Sequence, residues 1–210
     1  MPENRQCKPD VWLALIAIVG ILYFVVAVVI LHVLRPELNP ITHAVSNYAI
    51  GAFGLLMTVA FFTLALSEFA LALGLARSLV ASTQARISVL LLRFAGAGMV
   101  VTGIFPGDVK SPHPPGTLPS LIHWIGAGSS FLSLMIAAFL LSNCFKMDTH
   151  WQGFYRPSFV LSVTIVLALA VFGLFVSIGW VGMGERIYIA ASVLWLLYVS
   201  VQFCILYLFS

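Results

Sequence analysis

Hydrophobic residues fill six long stretches of this chain, and short polar segments separate them. The stretches lie at about residues 11–34, 51–75, 86–105, 119–143, 157–180 and 183–208. A helix needs about 20 apolar residues to cross the hydrocarbon core of a membrane, and each stretch reaches that length. We therefore predict an all-α fold: a polytopic transmembrane bundle of six helices in which residues 1–210 form a single integral membrane domain.

The composition supports this prediction. The chain is 61% hydrophobic and 8% charged, whereas a soluble domain carries about 25% charged residues. The surface of the bundle must therefore face lipid, and the stretches leave no room for a soluble domain. The first stretch exceeds the 7–15 apolar residues typical of a signal peptide, and no small-x-small cleavage site follows it. We expect it to be a retained span.

The charged residues between the stretches predict the orientation. Six lysines and arginines lie on the side of the N-terminus (Arg5, Lys8, Arg77, Arg86, Lys146, Arg156), and three lie on the opposite side (Arg35, Lys110, Arg186). The positive-inside rule then favours cytoplasmic N- and C-termini, in a multi-pass protein of the inner (cytoplasmic) membrane. Basic residues this few and this dispersed argue against nucleic-acid binding.

The three cysteines fall at predicted cytoplasmic ends, where thiols stay reduced. They are Cys7, Cys144 and Cys204. We therefore expect no disulfide.

Two charged residues lie deep inside neighbouring stretches. Glu68 and Arg93 are separated from the connecting segment 76–86 by similar distances along the chain, so a helical hairpin would place them at the same depth. An isolated charge in hydrocarbon is costly, which favours a structural ion pair between them. The alternative is a proton or substrate relay in a small transporter, a reading that gains weight if Glu68 proves to be unpaired.

A larger set of polar residues maps to the outer ends of the helices and to the loops between them. Asn39-Pro40 has the pattern of a helix N-cap followed by proline, which predicts that the second helix begins near Pro40. We predict a polar cluster at the extracytoplasmic face, serving as a headgroup site or a structural cover. Its members are His43, Ser46, Asn47, Asp108, His113, His123, Glu185 and Arg186.

Histidines and carboxylates in this cluster raise the possibility of a metal site. We expect no cofactor, with zinc on His43, His123 and Asp108 as the alternative. A metal-dependent hydrolase acting on a lipid would then use His43, Ser46, Asp108 and His123 as catalytic residues. The tight H-E-x-x-H ligand spacing is absent from the sequence.

Several short motifs, in this order and placement, resemble the DUF998 family of six-span bacterial and archaeal membrane proteins of unassigned function. The matching positions are Ser46 and Tyr48 before the second span, Phe105, Pro106 and Asp108 after the third, His123 in the fourth and Arg186 in the sixth. The resemblance covers nearly the whole chain and implies the fold without naming a reaction. Looser similarity to seven-span ceramidase-like hydrolases lacks their paired His-x-x-x-His on the last helix.

Three hypotheses for function follow. The first is a bundle that binds a lipid or hydrophobic ligand, or serves as an accessory subunit. The second is the outer-face hydrolase, and the third is the small transporter. Membrane lipid is the expected partner, and the sequence carries no signal for a protein partner or a homo-oligomer.

Overall fold

A computed structural model describes residues 8–108 and 116–208 of the chain. Within these residues the fold is all-α, and six helices are each long and apolar enough to cross a membrane. The six-helix transmembrane fold is thus confirmed, with observed boundaries within four residues of the predicted ones. The helices are α1 (Lys8–Leu34), α2 (Gly54–Ser78), α3 (Thr83–Ile104), α4 (Leu118–Met147), α5 (Tyr155–Ser177) and α6 (Val181–Leu208).

The helices pack as a closed ring. Each helix contacts the next along the chain, and α6 returns to pack against α1. Since consecutive helices run in opposite directions, α1 begins and α6 ends at the same end of the bundle, here called the terminal end. The opposite end is called the far end. Burial is uneven around the ring. In the most apolar stretch of α2, 61% of the residues are buried inside the bundle, whereas in that of α5 only 17% are buried.

The packing of α3 against α4 relies on two glycines that let the helix backbones touch. A Cβ atom on Gly98 would lie 2.6 Å from the carbonyl oxygen of Gly126, which is too close for any side chain. Small residues permit such close approach between helices in lipid, where dispersion contacts drive association. This contact holds α3 and α4 together in the half of the bundle nearer the far end.

The far-end connection between α1 and α2 differs from the prediction. Residues 35–53 form a folded loop with one short 3₁₀ helix, Val45–Ala49, and α2 begins at Gly54 rather than near Pro40. The Asn39 side chain accepts a hydrogen bond from the backbone N–H of Ile41 (2.8 Å), so it builds a local turn instead of a helix cap. Gly51 (φ 80°) and Phe53 (φ 59°) are left-handed, which ends any helical path before α2.

The terminal end is closed by a polar network between two loops. The Asp148 carboxylate accepts hydrogen bonds from the backbone N–H groups of Val80 (3.0 Å) and His150 (2.9 Å). Trp151 is fully buried, stacks on Phe145, and donates its indole N–H to Ser78 Oγ (2.8 Å). This end of the bundle is therefore sealed by satisfied polar groups and large aromatic rings.

Candidate functional site

The predicted ion pair between Glu68 and Arg93 does not form, so that prediction was wrong. Glu68 is 1% exposed inside the bundle, whereas Arg93 is exposed on the outer surface of α3. Over the described residues, the ion pairs are Arg35–Glu37 and Arg77–Asp10. The physical reason is the rotation of α3 about its own axis. Leu92 faces the core, and because successive side chains on a helix are about 100° apart, Arg93 points away from the core.

Glu68 instead faces a narrow cavity enclosed by five of the six helices. The cavity volume is about 30 Å³, which gives room for about two water molecules. Its wall is largely apolar. The polar residues among those that line it are Ser46, Glu68, Thr102, Ser130, Glu185, Tyr188 and Ser192.

Three buried polar atoms in this wall have no hydrogen-bond partner among the described residues. They are Glu68 Oε2, Ser130 Oγ and Ser192 Oγ, and all three residues line the same cavity. Buried polar groups are almost always paired in native proteins, so each exception calls for an explanation. Because all three residues border one space, that space is the candidate site for a polar occupant.

The cavity runs inward from the far end. Ser46, Thr102 and Glu185 lie nearest the far end, while Glu68, Ser130 and Ser192 lie deeper. Along α6, the seven residues from Glu185 to Ser192 correspond to about 10 Å at 1.5 Å per residue. Tyr188 lies between them and donates its hydroxyl to the Phe131 carbonyl oxygen (2.7 Å).

The carboxylate of Glu185 fixes the far-end loop against α6. Its Oε2 accepts a hydrogen bond from the backbone N–H of Val45 (2.5 Å), at the start of the 3₁₀ helix. Asn47 is buried in the same segment and donates its backbone N–H to the Ala44 carbonyl (3.1 Å). Glu185 therefore has a structural partner, although it also borders the cavity.

Arg186 is the centre of a larger network, which we call the Arg186 corner. Its Nη1 donates to the carbonyl oxygens of Pro40 (2.9 Å), His43 (2.8 Å) and Gly182 (2.9 Å). Its Nε donates to His32 Nε2 (3.0 Å), and its Nη2 lies 3.3 Å from Tyr48 Oη. The guanidinium thus joins α1, the loop 35–53 and α6, using groups that the loop would otherwise leave unpaired.

A second far-end corner forms where α3 meets α4. Asp108 accepts hydrogen bonds from the backbone N–H groups of Gly116 (2.9 Å) and Thr117 (3.1 Å) and from Thr117 Oγ1 (3.0 Å). Burial raises the pKa of this carboxyl, but these bonds together with Ser120 outweigh that effect and hold the pKa below its usual value. The carboxylate is stabilised in the charged form and joins the end of α3 to the start of α4 through Gly116 and Thr117.

The His123 side chain forms its hydrogen bonds in the same corner, where α3 meets α4. Its Nδ1 lies 2.8 Å from the carbonyl oxygen of Phe105 and 3.2 Å from that of Thr102. Because a carbonyl oxygen only accepts, Nδ1 carries the hydrogen and donates it. The ring also contacts Phe61 edge-on at 6.5 Å between centroids, and Phe61 lines the cavity.

The far-end residues do not assemble the metal or catalytic set of the hydrolase hypothesis. Across 8–108 and 116–208, no three His, Cys, Asp or Glu side chains come together as possible metal ligands. His43 Nδ1 contacts the Thr42 hydroxyl (3.2 Å), and no hydrogen bond joins it to Ser46 in this part of the chain. His113 lies outside the described residues.

Sequence analysis missed four polar residues of the cavity, Thr102, Ser130, Tyr188 and Ser192. A signal for two of them was present on α6. Glu185, Tyr188 and Ser192 are spaced i, i+3 and i+7, which places them on one face of a helix. A polar stripe on one face of an otherwise apolar span indicates an inward-facing surface.

The fold and the cavity define the class of protein. It is an integral membrane protein of six helices, with a cavity inside the bundle that is lined by apolar side chains and a few polar ones. The family model of DUF998, described as a protein of unknown function, matches residues 18–202. The chain belongs to this family, which confirms the resemblance seen in its motifs. No curated protein and no solved structure matches the chain.

Proposed function

We propose that this protein binds a lipid or hydrophobic ligand and takes its small polar headgroup into the central cavity, with Glu68 as the main hydrogen-bond acceptor. The observation that carries the proposal is the convergence of Glu68 Oε2, Ser130 Oγ and Ser192 Oγ, all unpaired among the described residues, on one cavity. A headgroup that bonds these atoms would remove the cost of leaving them unsatisfied in hydrocarbon.

The chemistry of the cavity selects the kind of headgroup. Two buried carboxyl groups, Glu68 and Glu185, border the space and no lysine or arginine is among its lining residues, so a phosphate or carboxylate group would find no partner of opposite charge there. The small volume also excludes bulky headgroups. An ammonium or a hydroxyl group satisfies both limits, because each is compact and donates hydrogen bonds.

The rest of the wall suits an apolar chain. Phe24, Phe61, Leu64, Leu134 and Leu196 surround the polar atoms. Sites for hydrophobic ligands combine such walls with a few polar groups that fix orientation. The cavity of about 30 Å³ therefore admits the compact donor group and the first atoms of an aliphatic or aromatic body, and the rest of that body lies outside the cavity.

The test compares three C12 probes with the same tail: dodecylamine, dodecanol and dodecanoic acid. Each is added to the purified protein in detergent at equal concentration, and thermal unfolding is followed. Binding to the folded state raises the melting temperature, and at equal concentration the probe that binds more tightly raises it more. We expect the amine to stabilise most, the alcohol less, and the acid not at all.

Glu68→Gln is expected to abolish the preference for the amine over the alcohol, since an amide cannot ionise and form an ion pair with a bound ammonium group. The matched control is Glu37→Gln, which removes an exposed carboxylate at the far end and is expected to keep the preference. Equal stabilisation by all three probes, or an amine preference that survives in Glu68→Gln, would refute the proposal.

A second candidate function is a small transporter for protons or a compact cation. The unpaired state of Glu68, about midway along α2, favours it, because an intramembrane carboxyl without a partner is a common feature of transport pathways. Transport also requires an opening at the terminal end, which Trp151 and Asp148 close in this structure.

Reconstitution into liposomes with an internal pH dye tests this second function. Proton uptake driven by a potential, lost in Glu68→Gln and kept in Glu37→Gln, would favour transport. Absence of flux in protein that still shows the amine preference would favour binding alone.

A further inference from the structure

Two arginines on the outer surface of α3 lie outside every network described so far. Arg86 and Arg93 are both exposed, and neither side chain has a hydrogen bond or ion pair within the described part of the chain. They are seven residues apart, two helical turns, and so share one face of α3.

Both arginines border a groove between α2 and α3 at the terminal end. The groove has a volume of about 490 Å³. Its floor is formed by small or aliphatic side chains, namely Leu75, Ala76, Leu79, Ala81, Ala85 and Val89. A groove of this kind on a lipid-facing surface has space for a headgroup and the start of an acyl chain.

The depth of Arg93 favours an anionic partner. It lies ten residues into α3, about 15 Å along the axis at 1.5 Å per residue, near the middle of a hydrocarbon layer about 30 Å thick. Side chains on a helix lean toward its N-terminus, which for α3 is the terminal end. An arginine on α3 that leans this way reaches toward the terminal end, where Arg86 borders the same groove.

We propose that the groove binds the phosphate of an anionic glycerophospholipid, held by Arg86 and Arg93, with an acyl chain along the alanine-rich floor. Guanidinium groups bind phosphate through paired, charge-assisted hydrogen bonds. The positive charges of the loops predict that the terminal end is cytoplasmic, and basic pockets between helices on that side recognise anionic lipid headgroups. This proposal is independent of the central cavity.

Native mass spectrometry of the full chain, released from detergent, tests the site by titration. The probes are phosphatidylglycerol and phosphatidylcholine with identical acyl chains. We expect phosphatidylglycerol to bind more tightly, and each of Arg86→Gln and Arg93→Gln to weaken it about fivefold, as for removal of one basic residue near a membrane surface. The double variant is expected to bind both lipids equally.

Arg156→Gln is the matched control. Arg156 is also exposed near the terminal end, at the start of α5, but lies outside the groove lining. Its removal is expected to leave the preference unchanged. Because Arg86 and Arg93 are exposed and unpaired, their variants should keep the wild-type melting temperature, which shows that any loss of binding is not due to misfolding.

Three results would overturn the proposal. The first is equal affinity of the wild-type protein for the two lipids. The second is a phosphatidylglycerol preference that survives in the double variant. The third is displacement of phosphatidylglycerol by millimolar inorganic phosphate, which would show that the groove recognises the free anion and not the lipid.

Discussion

The Arg186 corner and the cavity around Glu68 lie close together in one bundle, yet they differ in how their polar groups are satisfied. At the corner, the Arg186 guanidinium contacts five partners, and the neighbouring Glu185 binds the Val45 amide. In the cavity, Glu68, Ser130 and Ser192 each present a buried atom without a partner among the described residues.

This difference indicates that the Arg186 corner has a structural role and that the cavity is the candidate binding site. The corner contains the more conspicuous residues, but its hydrogen bonds are used to hold the far-end loop. The cavity is lined largely by apolar side chains, but three of its polar residues retain bonding capacity that an occupant could use. Unsatisfied polar atoms therefore identify the candidate site better than the density of polar residues does.

The largest expected effect comes from breaking the corner. Arg186→Gln removes most of the bonds to the carbonyls of Pro40, His43 and Gly182. Since each bond to a charged group contributes about 1.5–3 kcal/mol and the losses overlap, we expect a total loss of about 3 kcal/mol. Equilibrium unfolding in mixed micelles measures it, with Arg156→Gln as the control. A loss no larger than that of the control would contradict the structural role.

A smaller loss is expected from Glu185→Ala. It leaves the backbone N–H of Val45 without its acceptor in a buried position, which costs about 1–3 kcal/mol. The same unfolding assay measures the loss. Glu37→Ala, at an exposed carboxylate, is expected to lose less, and equal losses would show that the Val45 bond adds little.

Asp108 gives a pH-dependent prediction at the other far-end corner. Its folded-state pKa is lowered, so the charged carboxylate stabilises the fold above the usual carboxyl pKa of about 3.9. That contribution is lost as the pH falls through the lower folded-state pKa. We expect the stability difference between wild type and Asp108→Asn to shrink on acidification from pH 5 toward pH 3. A difference that stays constant with pH would contradict this.

The smallest effect on stability is expected at Glu68. Glu68→Gln removes a carboxyl that has no partner for Oε2, so the free energy of unfolding should change by less than about 0.5 kcal/mol, as for substitutions that remove no contact. If Glu68→Gln also loses the preference for the amine, Glu68 affects binding without affecting stability, whereas Arg186 affects stability. A large loss of stability would instead reveal a structural role for Glu68.

The fold was predictable because the membrane constrains sequence strongly. Six apolar stretches gave six helices, with boundaries displaced by at most four residues. The α2 start was also placed near Pro40 because of Asn39-Pro40, and that prediction failed. Asn and Pro favour turns as readily as helix starts, and only the contacts of the loop with Arg186 and Glu185 decide between them.

The candidate site was predictable in part. Glu185 and Ser46 were predicted in a far-end cluster, and both line the cavity. Ser130 and Ser192 were missed because a lone serine in an apolar helix is usually a packing residue whose hydroxyl bonds the preceding turn. Their importance arises only from facing the same space as Glu68.

The sequence by itself determined the number of spans, their order and the depth of each charged residue, because lipid demands continuous apolar helices of fixed length. The depth of a residue is its position along the helix axis. Because each residue advances a helix by a fixed rise, the position in the sequence gives the depth directly. Only the tertiary structure decided how each helix is rotated about that axis, since rotation depends on packing against neighbours. That rotation turned Glu68 into the bundle and Arg93 out to the lipid, and so replaced a predicted ion pair with two separate candidate sites.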